Sequence, residues 1–370
     1  VRTQAAVLWE YGQDWQVTEL DLDEPRQGEV LVRLAASGLC HSDEHVRLGD
    51  LPLEGLPCIG GHEGAGVVER TGPGVTKVSE GDHVVLSFIP ACGDCAWCAS
   101  GHQNLCDQGA DLRVGLQRDG TSRHHVAGRD ARLMCLLGTF SPYTVCREAS
   151  VVRIDDDIPL EQAALLGCGV TTGWGTAVYG AGVKPGDTVV VFGIGGVGAA
   201  AVQGARIAGA TRIVAVDPAP FNREQSLRFG ATHAFGSAAQ AVAAVTDLTR
   251  GAMANSALIT VGVATATIVA DGLSVVGKTG TVALTSIAPA GLHAIELPMF
   301  QLTSWQKRIV GCLFGNASPR ADIPRLLALY RQGELMLDEL VTRTYRLDEV
   351  NDGYRDMRAH RIVRGMIRYS

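Results

Sequence analysis

Four cysteines, Cys92, Cys95, Cys98 and Cys106, are spaced C-x2-C-x2-C-x7-C, which lets four thiolates close a tetrahedron around one soft divalent ion. Four protein ligands leave no position for a substrate, so such an ion is structural and stiffens a lobe with little core of its own. An iron–sulfur cluster is the competing four-thiolate reading; zinc is preferred because nothing else in the loop points to redox use. Two further polar clusters, Cys40-His41-Ser42-Asp43-Glu44-His45 and Gly60-Gly61-His62-Glu63-Gly64, bring thiol, imidazole and carboxylate groups to segments that read as turns. Cys168 adds another thiol, but spacing alone does not assemble these scattered residues, and a single Cys in such a place is more often a small buried residue. The run Gly193-Ile194-Gly195-Gly196-Val197-Gly198 lies between the apolar Val189–Phe192 and the Ala-rich Ala199–Ala208. Alone the motif is weak, but between a strand and a helix it suits pyrophosphate binding by backbone N–H groups and a helix N-terminus. Asp217, ending the next apolar run, is placed to accept hydrogen bonds from an adenosine ribose and to repel a 2′-phosphate, which favours NAD over NADP. Arg223, six residues on, is a cation able in principle to offset that repulsion.

The elements that must position these groups change character along the chain. Up to about residue 165, short β-patterned runs alternate with glycine-rich turns: Val30, Val32 and Leu34 on one face, then Gly66-Val67-Val68, then Val84-Val85-Leu86. From the turn Lys184-Pro185-Gly186-Asp187 the pattern becomes strand, loop, helix, strand, the rhythm of a parallel sheet. Six strands are expected, beginning near Thr188, Arg212, Thr232, Ala257, Thr281 and Arg308. Beyond Phe314, Ile323–Arg331 reads as an amphipathic helix and Val363–Tyr369 as a strand, a tail expected to return to the first domain.

Taken together, Gly61–Val68, the four-cysteine loop and Gly167-Cys168-Gly169-Val170-Thr171-Thr172-Gly173 resemble the zinc-containing medium-chain alcohol dehydrogenases, over nearly the whole chain from about Ala5 to Arg368. More narrowly, Leu86–Gly93 and Met134–Phe140 resemble the actinobacterial N,N-dimethyl-4-nitrosoaniline-dependent alcohol dehydrogenases. The resemblance implies an α/β protein: a GroES-like, mainly-β catalytic domain (1–168 and 313–370) and a Rossmann domain (169–312) with a doubly wound, parallel, six-stranded sheet. It implies two Zn2+ per subunit and NAD, the catalytic zinc being held by Cys40, His62 and Cys168. Asp43 then orients His62, and Glu63 lies behind the metal as a supporting carboxylate or transient ligand. Zinc lowers the pKa of a hydroxyl, so an alkoxide able to expel a hydride exists near neutral pH. A proton relay runs through Ser42 and the cofactor ribose to His45, which delivers the proton to water. By the same resemblance His41 and Arg364 face the pyrophosphate, Thr172 the nicotinamide, and Leu51, Phe88 and Leu136 line the alcohol channel. Asn222 stands where the family commonly has a lysine. The narrower subfamily is expected to hold its cofactor without exchange and to reduce an external carrier of the mycofactocin type.

Composition sets the bounds. A chain of 370 residues suits two domains with chemistry in a cleft, and 46% hydrophobic residues with 45 glycines suit a tight, turn-rich α/β protein. The net charge of −7, with no basic run, argues against nucleic acid or an anionic membrane surface as partner. No apolar stretch reaches the about 18 residues of a membrane span, and Val1–Glu10 lacks a signal-peptide pattern, so a cytoplasmic protein is expected. Cys58, Cys135, Cys146 and Cys312 read as small buried residues. An S-(hydroxymethyl)glutathione (formaldehyde) dehydrogenase is the nearest rival, but Ala110 stands where those relatives carry an arginine, with Arg113 the nearest substitute. A catalytically idle binding or structural member of the fold would have lost a zinc ligand or the glycine loop, and neither is lost. Met299–Leu313 resembles the family's subunit-contact region, which implies a homodimer or homotetramer. The Arg- and His-rich loop from Asp107 to Met134 is left without an assigned role.

Overall fold

The computed structural model describes residues 1–288 and 294–369; Ser370, the end of the expected catalytic segment, lies outside them. The described chain groups into two compact units. One comprises Val1–Cys168, Ser318–Gln332 and the chain from Leu337 onward, and the other Gly169–Ala317 and Gly333–Met336.

The first unit is mainly β, organised around the strand Glu29–Gly38. Val30, Val32 and Leu34 join Val68, Val84 and Leu86 in one core, while Leu31 faces another made by Ala5, Val7 and Leu20. Burial on both faces is why this strand reads as an almost unbroken apolar run. It pairs antiparallel with Gly64–Thr71, Tyr143–Arg147 and the C-terminal strand Arg364–Arg368. The pairings Ser37↔Gly64 and Ile367↔Ser37 bring the tail of the chain alongside His62 and Glu63. The segment from Asp107 to Met134 contributes His124–Val126, which pairs with Gln16–Leu22. It is anchored by buried Arg123, whose guanidinium donates to both Glu29 oxygens at 2.8 Å.

The polar cluster after Cys40, read from sequence as a turn, is an α-helix, His41–Leu48, with Cys40 at its N-cap. Asp43 and Glu44 in its first turn and Arg47 in its last complement the helix dipole, and buried Val46 packs into the core. Gly49 ends it with a φ of 84°, a left-handed value that glycine adopts without steric cost. The tail helix runs Pro319–Arg331, starting before the expected Ile323 because Pro319 occupies the first helical turn, where proline's missing N–H costs nothing.

The second unit is built on six parallel strands of the described residues: Thr188–Phe192, Arg212–Val216, His233–Phe235, Ala254–Ile259, Val276–Leu284 and Arg308–Gly311. Numbered in chain order they lie 3-2-1-4-5-6, so the order reverses beside Thr188–Phe192, the strand that leads into Gly193. In doubly wound sheets ligands bind at such a switch point. The expected starts at Ala257 and Thr281 fall inside the fourth and fifth strands. The fifth contains Thr279 at φ 61°, and its register with the fourth shifts between Ala254 and Ser256, which breaks the alternation a sequence reading follows.

Candidate metal centre and nucleotide loop

Three separate stretches of the first unit converge on one buried point. Cys40 is placed by the strand before it, through Leu39 N–H donating to Gly365 O at 2.9 Å, and by Tyr354 Oη donating to its carbonyl at 3.4 Å. His62 follows Gly61, whose N–H donates to Asp43 Oδ1 at 2.8 Å. Cys168 follows Gly167, whose carbonyl accepts Phe88 N–H at 3.2 Å. The ligand atoms of Cys40, His62, Glu63 and Cys168 all lie within 4.8 Å of one another, and all four residues are buried.

The donor set fits a soft cation. Two sulfurs, an imidazole and a carboxylate are costly to crowd together away from water unless a positive charge joins them. Hydrogen bonding from Cys168, then the nearby His62, outweighs burial and brings Cys40 well below the usual thiol range, as a thiolate ligand requires. The same contact with Cys40, then burial, pushes Cys168 well above it. Burial opposes protonation of His62, yet the Asp43 carboxylate and Cys40 outweigh it and raise the imidazole well above its ordinary value. His62 Nδ1 lies 3.1 Å from Asp43 Oδ1, leaving Nε2 for the ligand side. Glu63 is paired with Arg364, which is itself buried. Burial lowers the Arg364 guanidinium from its ordinary value, and its Nε has no hydrogen-bond partner among the described residues.

Around this point, Ser42 Oγ lies 3.7 Å from Cys40 Sγ. His41 is exposed, its ring 5.7 Å from that of buried His45. Of the expected channel residues, Phe88 sets its ring edge-on to His62 at 6.0 Å, and Leu51 is partly buried against the core cluster that includes Leu39 and Met134. Leu136 is fully buried at φ 61°, directly after Cys135 at φ 51°, and Cys135 is the more accessible of the two. The sequence reading did not single out Asp50, whose Oδ2 lies 3.1 Å from His45 Nδ1. A polar residue directly after a helix-ending glycine was the available signal.

Cys92, Cys95, Cys98 and Cys106 also bring their sulfurs within 4.8 Å of one another. Cys92 and Cys98 Sγ are 3.8 Å apart, matching the about 3.8 Å expected of two sulfurs at tetrahedral angles around one ion at Zn–S bond length. Backbone N–H groups of Cys95 and Cys98 donate to Cys92 and Cys95 Sγ, each at 3.4 Å. N–H donation from Asp107 and Cys98 holds the Cys95 thiol down to about 6, so it is readily a thiolate. None of the ten cysteines is in a disulfide.

In the second unit, Gly193 takes φ 87°, and a Cβ at Gly198 would strike the Gly193 carbonyl, so the turn needs both glycines. A Cβ at Gly195 would meet nothing within 4 Å. Gly195 caps the helix Gly196–Ile207 with no side-chain hydrogen bond, which leaves the first N–H groups for an anion. Buried Asp217 accepts Ile194 N–H at 2.8 Å and Asn222 Nδ2 at 3.0 Å on Oδ2, and Ala219 N–H at 2.8 Å on Oδ1. Asn222 thus braces the carboxylate. Arg223 Nη1 is spent on the carbonyls of Asp217 and Pro218, both at 2.8 Å. Thr172 is buried with no partner for Oγ1 among the described residues. The open face at Gly195, the uncapped helix and the braced carboxylate fit a dinucleotide.

The alcohol dehydrogenase GroES-like domain model matches residues 26–156 and the zinc-binding dehydrogenase model residues 196–332. Over 370 residues, all of both chains, the sequence is 52% identical to an NDMA-dependent alcohol dehydrogenase of Amycolatopsis methanolica. The chain belongs to the zinc-containing medium-chain alcohol dehydrogenases. Two solved structures of this family lie close in fold. One, from Burkholderia ambifaria, is described as an alcohol dehydrogenase zinc-binding domain protein; its TM-score is 0.94 at 35% identity, covering 100% of this chain and 99% of that one. The other, benzyl alcohol dehydrogenase of Acinetobacter calcoaceticus, has a TM-score of 0.93 at 32% identity, covering all of both chains. Family membership makes the protein an alcohol oxidoreductase of the zinc-binding, nucleotide-using kind, with the GroES-like and Rossmann-type fold expected from sequence.

Proposed function

We propose that this alcohol dehydrogenase carries two zinc ions per subunit and oxidises an apolar primary or secondary alcohol to an aldehyde or ketone, with NAD as hydride acceptor. The observation that carries the reading is the convergence of Cys40, His62 and Cys168 while Glu63 is engaged by Arg364. A zinc ion bound there supplies Lewis acidity, lowering the pKa of an alcohol hydroxyl by several units. The protein's own groups do the rest. Asp43 fixes the tautomer and direction of His62, Arg364 holds Glu63, and Ser42 passes the hydroxyl proton towards His45. Phe88, Leu51 and Leu136 keep the pocket apolar and dry, which favours an apolar alcohol.

Residues 1–168 with 313–370 form the catalytic domain in this reading, and 169–312 the cofactor domain. Gly193, Gly195, Gly196, Val197 and Gly198 hold the pyrophosphate, and Asp217 with Asn222 takes the ribose, which excludes a 2′-phosphate. Thr172, His41 and Arg364 complete the cofactor contacts. The similarity to an NDMA-dependent enzyme supports retention of NAD between turnovers and electron transfer to an external acceptor of the mycofactocin type. The glutathione-dependent alternative has no comparable support, since Ala110 offers no cation.

Met299 and Phe300, on the helix Met299–Ser304 that precedes the edge strand Arg308–Gly311 in sequence, are 65% and 75% exposed, which supports a homodimer or homotetramer formed through this segment. The protein is assigned to the cytoplasm: its thiolate sites need a reducing compartment. No helix of the described residues is long and apolar enough to cross a membrane. Native mass spectrometry of the purified protein tests the whole reading. Two zinc ions and one NAD per chain in an even-numbered oligomer are expected, and a chain lacking zinc or carrying NADP would contradict it.

A further inference from the structure

Asp43, which aims His62, is itself only half satisfied. Its carboxylate is fully buried, and Oδ1 takes two hydrogen bonds, from Gly61 N–H at 2.8 Å and from His62 Nδ1 at 3.1 Å. Oδ2 lies equally near that nitrogen but accepts no hydrogen bond among the described residues. An ionised oxygen left so in the interior costs free energy until a donor reaches it. The donor at hand is a phenol. Tyr354, on the helix Val350–Arg358, is buried with its ring edge-on to Phe140 at 6.3 Å, and its hydroxyl lies beside the Asp43 carboxylate. Burial, then the Asp43 charge, push that hydroxyl well above its ordinary value, so it keeps its proton. Its hydrogen bond to Cys40 O is long, 3.4 Å against the about 2.7 Å usual between two oxygens. One turn along the same helix face, Arg358 Nη1 donates to Glu44 Oε1 at 2.6 Å, so the helix grips the start of His41–Leu48 at two points.

We propose that Tyr354 is a positioning residue of the buried metal site: its hydroxyl donates to Asp43 Oδ2, which keeps Oδ1 turned to His62 and fixes Asp43 relative to Cys40 at the helix N-cap. This rests on Cys40, His62 and Cys168 holding a metal ion, as proposed above. A bond to a carboxylate is charge-assisted and outweighs a long one to a peptide carbonyl. Turning one O–H bond is enough to exchange them, because a hydroxyl proton rotates to suit its acceptor. With Oδ2 held, the carboxylate cannot swing to present its other oxygen to the ring, so the direction of His62 Nε2 is set. A tyrosine that served only to fill the core would be replaced by phenylalanine without effect on the metal.

The test compares the holoenzyme with its Tyr354→Phe, Asp43→Asn, Arg358→Gln and doubly substituted Tyr354→Phe, Asp43→Asn forms. Zinc affinity is read by chelator competition, and the buried site by its visible absorption after exchange with Co2+. Tyr354→Phe keeps the ring packed on Phe140 and is expected to lower zinc affinity at the buried site about tenfold. It should also shift the Co2+ bands while the four-cysteine site holds its zinc as before. Arg358→Gln cuts the helix's other grip and should leave both sites unchanged. In the Asp43→Asn form, Tyr354→Phe should add little, because the charged acceptor is already gone. If Asp43→Asn weakens zinc binding and Tyr354→Phe does not, if their losses simply multiply, or if Arg358→Gln does equal harm, the buried site stands and the role of Tyr354 is overturned. If Asp43→Asn leaves zinc bound as tightly as before, the aiming of His62 falls, and this proposal with it.

Discussion

Arg364 closes on Glu63 across 301 positions of sequence, one from the last strand and the other from the loop that carries His62, and both are buried. The pairing Ile367↔Ser37↔Gly64 explains why they meet: a single strand, Glu29–Gly38, carries the tail on one side and the His62 loop on the other. The ion pair keeps a carboxylate stable behind two thiols and an imidazole.

Removing one partner should therefore harm more than removing both. Arg364→Met strands a buried carboxylate and is expected to cost about 3 kcal/mol, or roughly 6–12 °C in apparent Tm. The double form Glu63→Gln, Arg364→Met should recover part of that loss. Scanning calorimetry of the four forms closes the cycle, and additive losses would show that the two residues do not act as a pair.

Replacing Cys95 by Ser takes one thiolate from the four-sulfur loop. Metal analysis should find one zinc ion fewer per chain and proteolysis should open the loop around Trp97, while the Cys40 site keeps its ion. Unchanged metal content would end the structural-zinc assignment.

Asp43→Asn alters no ligand but weakens the acceptor that aims His62. Zinc affinity at the buried site should fall about 10- to 100-fold in chelator competition, with the four-cysteine site unaffected. Equal loss at both sites would point to general unfolding.

Acid stability depends in part on Glu44, one residue before His45. Burial pushes its carboxyl up, but hydrogen bonds from Arg47 and Arg358 outweigh that and hold it below the ordinary 4.5. A depressed carboxyl stabilises the fold while ionised, so its contribution is complete above about 4.5 and is lost as pH falls through the lowered value. The Tm difference between the protein and Glu44→Gln should be largest at neutral pH and shrink below about pH 4.5. A difference that grew on acidification would reverse the assignment.

Local spacing carried much of this. The four-cysteine loop and the glycine turn are contiguous, and their chemistry is written in a few neighbouring positions. The strands were legible from their apolar runs, and the expected starts of the fourth and fifth fell late, where the register between those two strands shifts at Ala254/Ser256 and Thr279 takes a positive φ. Cys40, His62 and Cys168 became a set through resemblance, because convergence of distant segments leaves no spacing to read. The helix His41–Leu48 was hidden by its polarity: it buries Asp43, Glu44 and His45 in ion pairs and hydrogen bonds, so no apolar stripe marks it. Glu63 with Arg364 and His45 with Asp50 are side-chain relations that only the packed chain reveals.

The central claim is tested most directly by stripping metal from the holoenzyme with a chelator and titrating zinc back while following alcohol oxidation and metal content together. Activity should vanish with the ion lost from Cys40, His62 and Cys168 and return in proportion as that site refills. Full alcohol-oxidising activity in protein shown to lack that ion would contradict the account.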